Sequence, residues 1–227
     1  AAYAHHLSTL YATDVQPEHT HITSGCNQAF VAAALAVAGR GETILMMRPC
    51  YFNHESSLGM LGIKVGYVDC HDDNGLLPSC DDISAAITPD VRAVALVSPN
   101  NPAGTIYPPA LLAEILALCK AKGIWLILDE TYRDFHSRTG AAHALFERHD
   151  WQNNLIQLYS FSKAYRLTGH RVGAVISSAK RLAEIEKFLD TLTICPNQLG
   201  QRGALFGMRN LEGWLGDQRA EILGRRA

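Results

Sequence analysis

Lys163 sits in the stretch SFSKAYRLTGHRVG, residues 160–173, where it follows two serines and precedes, after seven residues, an R-x-G. A lysine that is buried or flanked by cations has a lowered pKa and can form a Schiff base. Ser160 and Ser162 supply hydrogen-bond donors beside it, and Arg171 supplies a forked cation suited to phosphate. Alone, Lys163 reads as a solvated lysine; the company it keeps argues against that.

Three further stretches carry chemistry. In TSGCNQAF (23–30) a glycine stands at a strand-to-helix junction, where unpaired N–H groups and the helix dipole favour an anion. Gly25 permits close backbone approach, and Ser24, Cys26 and Asn27 add donors; a plain glycine turn is the competing reading. In SPNNPAGT (98–105) Asn101 precedes a proline, which biases it to an extended backbone and lets its amide point into a site, or else the stretch is a polar turn. LDETY (128–132) ends a very apolar run with Asp129, a carboxylate that is costly there unless a cation or proton donor meets it. It reads as a helix N-cap, a structural ion pair, or a group that keeps a ring nitrogen protonated. Tyr132, three residues on, reaches the same pocket or packs under a loop.

These groups need a scaffold. Apolar runs at 21–23, 42–49, 63–70, 92–99, 124–130, 155–162 and 171–177 are apolar on successive residues, the pattern of strands covered on both faces. Helical patterns lie between most of them, at 27–41, 108–123 and 179–192. Strand–helix alternation predicts an α/β fold, three αβα layers around a mainly parallel sheet of about seven strands. Ligands bind such sheets at the carboxyl ends of the strands. TSGCNQA, RPCYFNH, SPNNPAGT, LDETY and YSFSK all fall at those ends.

The 227 residues, 48% hydrophobic with a net charge of −2, make one large domain and offer nothing to nucleic acid. No run is long enough to span a membrane. The six cysteines form no CxxC pair and read as reduced thiols, mostly core filler, of a cytoplasmic protein. The ten histidines lack HExxH-type spacing; His5, His6, His19 and His21 read as solvated or turn residues, and no metal site is expected. The chain opens in a helical pattern without an initiator methionine and breaks off after another, EILGRRA, so it reads as a portion of a longer chain.

S-x-S-K, seven residues, then R-x-G resembles the lysine motif of the class I/II aminotransferases, pyridoxal-phosphate enzymes of fold type I. TSGCNQAF, PCYFNH, NPAGT and DETY match the same family in order, and the 201–205 segment is similar, though less specific. The resemblance implies that Lys163 carries pyridoxal 5′-phosphate as a Schiff base and Asp129 pairs with the pyridine nitrogen. Asn101 and Tyr132 would hydrogen-bond the phenolic oxygen, and Tyr51 would stack on the ring. Gly25, Cys26, Asn27, Ser160, Ser162 and Arg171 would form the phosphate cup, position 26 through its backbone amide. It further implies a homodimer acting on an amino acid and a 2-oxo acid, with residues 1–227 as the cofactor-binding large domain.

The family's smaller second domain, which carries an arginine for the substrate carboxylate, is largely absent from these residues. So is the N-terminal segment from which the dimer partner offers a tyrosine to the phosphate. The chain by itself is therefore expected to transaminate poorly or not at all. A C–S β-lyase or decarboxylase on the same scaffold stays open. So does an aminotransferase-like ligand-sensing domain of a transcription regulator, which an upstream helix-turn-helix would favour.

Overall fold

The computed structural model describes residues 1–137, 140–147 and 150–225; the last two residues of the EILGRRA pattern lie outside them. The strands are β1 (Thr20–Thr23), β2 (Thr43–Arg48), β3 (Lys64–Asp69), β4 (Val91–Val97), β5 (Trp125–Asp129), β6 (Leu155–Ser160) and β7 (Gly173–Ile176). The helices are α1 (Ala2–Tyr11), α2 (Cys26–Val37), α3 (Phe52–Leu61), α4 (Cys80–Ala86), α5 (Pro109–Ala121), α6 (Phe161–Ala164), α7 (Ala179–Leu192), α8 (Gln198–Asn210) and α9 (Glu212–Gly224).

The strands form one sheet in the order β1-β7-β6-β5-β4-β2-β3. Every pairing is parallel except those of β7, which runs against both β1 and β6. Alternate residues of each strand enter different cores. Val94, Leu96, Leu126 and Leu128 join the apolar layer that includes α1, α5 and α8. Ala93, Ala95 and Ile127 join the layer of α2, α3 and α7 on the other face. The continuous apolar runs in the sequence are the consequence of this two-sided burial.

The predicted strands all form. The helix expected over 27–41 begins one residue earlier and ends at Val37, because Ala38 is extended and Gly39 and Gly41 bound a turn. The strand expected to reach residue 162 stops at Ser160, whose side chain accepts the Ser162 N–H and caps α6. α2 lies against β5, β6 and β7. Its fully buried alanines, Ala29, Ala32, Ala33 and Ala34, leave room for that close approach.

The topology sends six strands the same way, so β1, β2, β4, β5 and β6 all end at one edge. β7 starts there. Gly173 pairs with Thr23 on one side and Ser160 on the other. This reversal explains why the R-x-G motif precedes its strand while the other motifs follow theirs.

Candidate active site

Two buried acids stand at the end of β5, Asp129 as its last residue and Glu130 just after it, and they face opposite ways. Glu130 points toward α1: its carboxylate accepts the Tyr11 hydroxyl at 3.0 and 3.1 Å and the Gln157 amide, and it lies 3.2 Å from His143 Nε2. Burial alone would raise this carboxyl; His143, Arg133 and Gln157 outweigh it and lower the pKa to about 2.

Asp129 points to the other face. Its Oδ1 accepts the Thr131 N–H at 2.9 Å. Its Oδ2 lies 3.2 Å from His54 Nε2 and 3.4 Å from Cys26 Sγ. Burial pushes the Asp129 carboxyl up, but His54 and the Thr131 donors more than offset that and hold it below the usual carboxylate range. The cost that the sequence attached to a carboxylate at the end of WLILD is met by these donors. His54 is itself fixed by a parallel stack on Phe30, ring centroids 3.7 Å apart.

The turn before α2 is shaped by glycine. Gly25 has φ 85° and ψ 168°, a backbone that essentially only glycine adopts, and no side chain caps the helix. A Cβ at Gly25 would stand 2.8 Å from Arg171 Cζ, so the guanidinium packs directly on the bare backbone. A Cβ at Gly173 would stand 2.6 Å from the Gly25 carbonyl carbon and 2.7 Å from the Cys26 nitrogen. The two glycine motifs, 148 positions apart in the chain from Gly25 to Gly173, are thus two halves of one close contact. Arg171 is held by a bond from Nη1 to the Thr168 carbonyl at 2.9 Å. Ser24, counted among the donors in the sequence, spends its N–H on Gln28 Oε1 at 2.6 Å, and the Gly25 N–H goes to Thr23. The amides of Cys26 and Asn27, first in α2, are the ones left by helix geometry.

Between these pieces lies a cavity of about 180 Å³ at the carboxyl edge of the sheet. Lys163, Asp129, Tyr132, Asn101 and Tyr51 line it, each from a different strand end or the loop after it, save that Asp129 and Tyr132 share one. Cys26, Asn27, Ser160, Ser162 and Arg171 line it too. Gly25 sits against the Arg171 guanidinium. The residues assigned to the cofactor from the sequence thus lie at or beside this one cavity, whereas Ser24 does not line it. Lys163 is exposed rather than buried, with Nζ 5.8 Å from the centre of the Tyr132 ring. Burial and the charge of Asp129 raise the Tyr132 phenol, and a hydrogen bond with Asn101 opposes them.

Sequence reasoning missed His54, Thr131 and Thr168. His54 was within the quoted RPCYFNH, but its partner Asp129 lies 75 positions on, beyond any local pattern. Among the described residues no group of three or more His, Cys, Asp or Glu could hold a metal ion. No described helix is long and apolar enough to cross a membrane. All six cysteines are free; Cys26 and Cys119 are buried and Cys195 is exposed, so core filler describes only some of them.

The family model for aminotransferase class I and II matches residues 1–227. The chain belongs to that family. It is 31% identical over 212 residues to the aromatic aminotransferase ISS1 of Arabidopsis thaliana, covering 90% of this chain and 52% of that protein. It is 27% identical over 207 residues to an aspartate aminotransferase of Sulfolobus acidocaldarius, again 90% and 52%. The class I and II chain thus spans about half the length of the curated relatives it matches. Its fold superposes on N-succinyldiaminopimelate aminotransferase of Mycobacterium tuberculosis with a TM-score of 0.92, at 24% identity, over 99% of this chain and 59% of that one. The three-layer, mainly parallel architecture read from the sequence is that of this family.

Proposed function

We propose that this chain is the cofactor-binding large domain of a pyridoxal-phosphate-dependent aminotransferase. The observation that carries the reading is the cavity that joins Lys163 to Asp129, with Arg171 laid on Gly25 beside it. A phosphorylated pyridine aldehyde suits this set of groups. It needs an amine for its aldehyde, an anionic acceptor for its ring N–H, and a donor cradle for its phosphate. Bound pyridoxal phosphate would supply an electron sink for negative charge developing at a substrate Cα.

The chain's own residues do the rest. Lys163 would hold the cofactor through its amine, and that amine, once free, would take up and return the substrate Cα proton as general base and acid. Asp129, kept ionised by its donors, holds the proton on the ring nitrogen. Arg171, Ser160, Ser162 and the Cys26 and Asn27 amides hold the phosphate, the arginine as a fork and the amides at the positive end of α2. Asn101 and Tyr132 would hydrogen-bond the phenolic oxygen, and Tyr51 would cover a ring face; all three line the cavity. The substrates are an amino acid and a 2-oxo acid, the assembly a homodimer and the compartment the cytoplasm; the family and the free thiols support these.

The test is amino-group transfer by the protein that carries this chain. A panel of amino acids with 2-oxoglutarate or pyruvate should give the corresponding oxo acids in amounts equal to the amino acid formed. Release of ammonia and pyruvate from a β-substituted amino acid without an acceptor would replace this reading by the lyase. Cofactor binding without any turnover would replace it by a sensor.

A further inference from the structure

Cys26 contributes more to the cavity than its backbone. Sγ lies 3.4 Å from Asp129 Oδ2, and both residues are buried. Asp129 therefore meets three groups from three elements: the Thr131 N–H after β5, His54 on α3, and the Cys26 thiol at the start of α2.

We infer that Cys26 is a positioning residue for Asp129, its S–H donating to Oδ2 and fixing both the orientation and the strength of the carboxylate. The inference deepens the proposed function, since the consequence for a ring nitrogen rests on pyridoxal phosphate binding here. A thiol is a weak donor. It steadies the carboxylate while withdrawing less of its charge than a hydroxyl would. Burial, then the charge of Asp129, push the Cys26 thiol well above its ordinary value, so the proton stays on sulfur and the bond keeps one direction. The other charged groups at the cavity, Arg171 and Lys163, stand on its exposed side.

Two measurements test this, one without cofactor. In the apoprotein, the infrared difference between wild type and Cys26→Ala isolates one S–H stretching band. It should lie below the frequency of a free thiol and move back toward it in Asp129→Ala. In the holoprotein, the pH midpoint of the Lys163-bound chromophore should rise in Cys26→Ala by about half a unit to one unit, the loss of one modest hydrogen bond to the carboxylate. Cys26→Ser keeps a donor and should not raise it. A band at the free-thiol frequency overturns the inference, as does a midpoint unmoved in Cys26→Ala or raised equally in both variants. If pyridoxal phosphate does not bind Lys163 at all, the proposed function fails, and the apoprotein band alone decides the Cys26–Asp129 bond.

Discussion

Replacing Gly25 by alanine perturbs one atom at the point where the turn before α2, Arg171 and Gly173 meet. Two costs follow from the structure. The backbone at φ 85° and ψ 168° is strained for any residue with a side chain, a penalty of about 1–3 kcal/mol. In a domain of this size that lowers the apoprotein Tm by roughly 2–12 °C. The new methyl would also stand 2.8 Å from Arg171 Cζ, inside contact distance. Arg171 cannot turn away freely, because Nη1 is bonded to the Thr168 carbonyl. The guanidinium is displaced and its charge-assisted contact to a phosphate is lost, about 1.5–3 kcal/mol or roughly 10- to 150-fold in affinity. The assay is an absorbance titration with pyridoxal phosphate and, in parallel, with pyridoxal. Gly25→Ala should weaken the phosphate ester by that factor and leave pyridoxal almost untouched. Equal loss for both ligands, or no loss for either, would refute the placement of the phosphate at Gly25 and Arg171.

Other outcomes follow from the two acids at the end of β5, Asp129 and Glu130. His54→Leu removes a group that holds the Asp129 carboxyl down. A depressed carboxyl loses its contribution as pH falls through its folded pKa. The variant should therefore lose pyridoxal phosphate at higher pH than wild type on acid titration; an unchanged acid limb would contradict the pairing. Glu130 has a folded pKa of about 2 against an ordinary 4.5. Its stabilisation is complete above 4.5 and lost as pH falls from there toward 2. Glu130→Gln leaves Arg133 and His143 without their carboxylate, costs about 3–5 kcal/mol near neutral pH, and flattens the acid limb of stability; denaturant midpoints against pH measure both effects.

The sheet was legible because its central strands are buried on both faces, which writes them as unbroken apolar runs such as WLILD and LIQLY. Once those runs were aligned, the site followed from position, since Asp129 ends a strand and Lys163 and Asn101 follow the ends of two others. The reversal of β7 was not legible: four buried residues, GAVI, look the same in either direction. Donor relationships were equally hidden. Nothing local ties Cys26 or His54 to Asp129, and nothing in TSGCNQ shows that Gln28 takes the Ser24 N–H. Glu130 read as the middle letter of LDETY, although it anchors a buried network reaching to Tyr11 and His143.

The central claim is that the Lys163 amine and the Asp129 carboxylate serve one bound pyridine ring. Borohydride reduction of the protein mixed with pyridoxal phosphate, followed by peptide mapping, tests it most directly. The account predicts a single phosphopyridoxyl adduct on Lys163, absent in Lys163→Ala. An adduct on another lysine, or none, would contradict it.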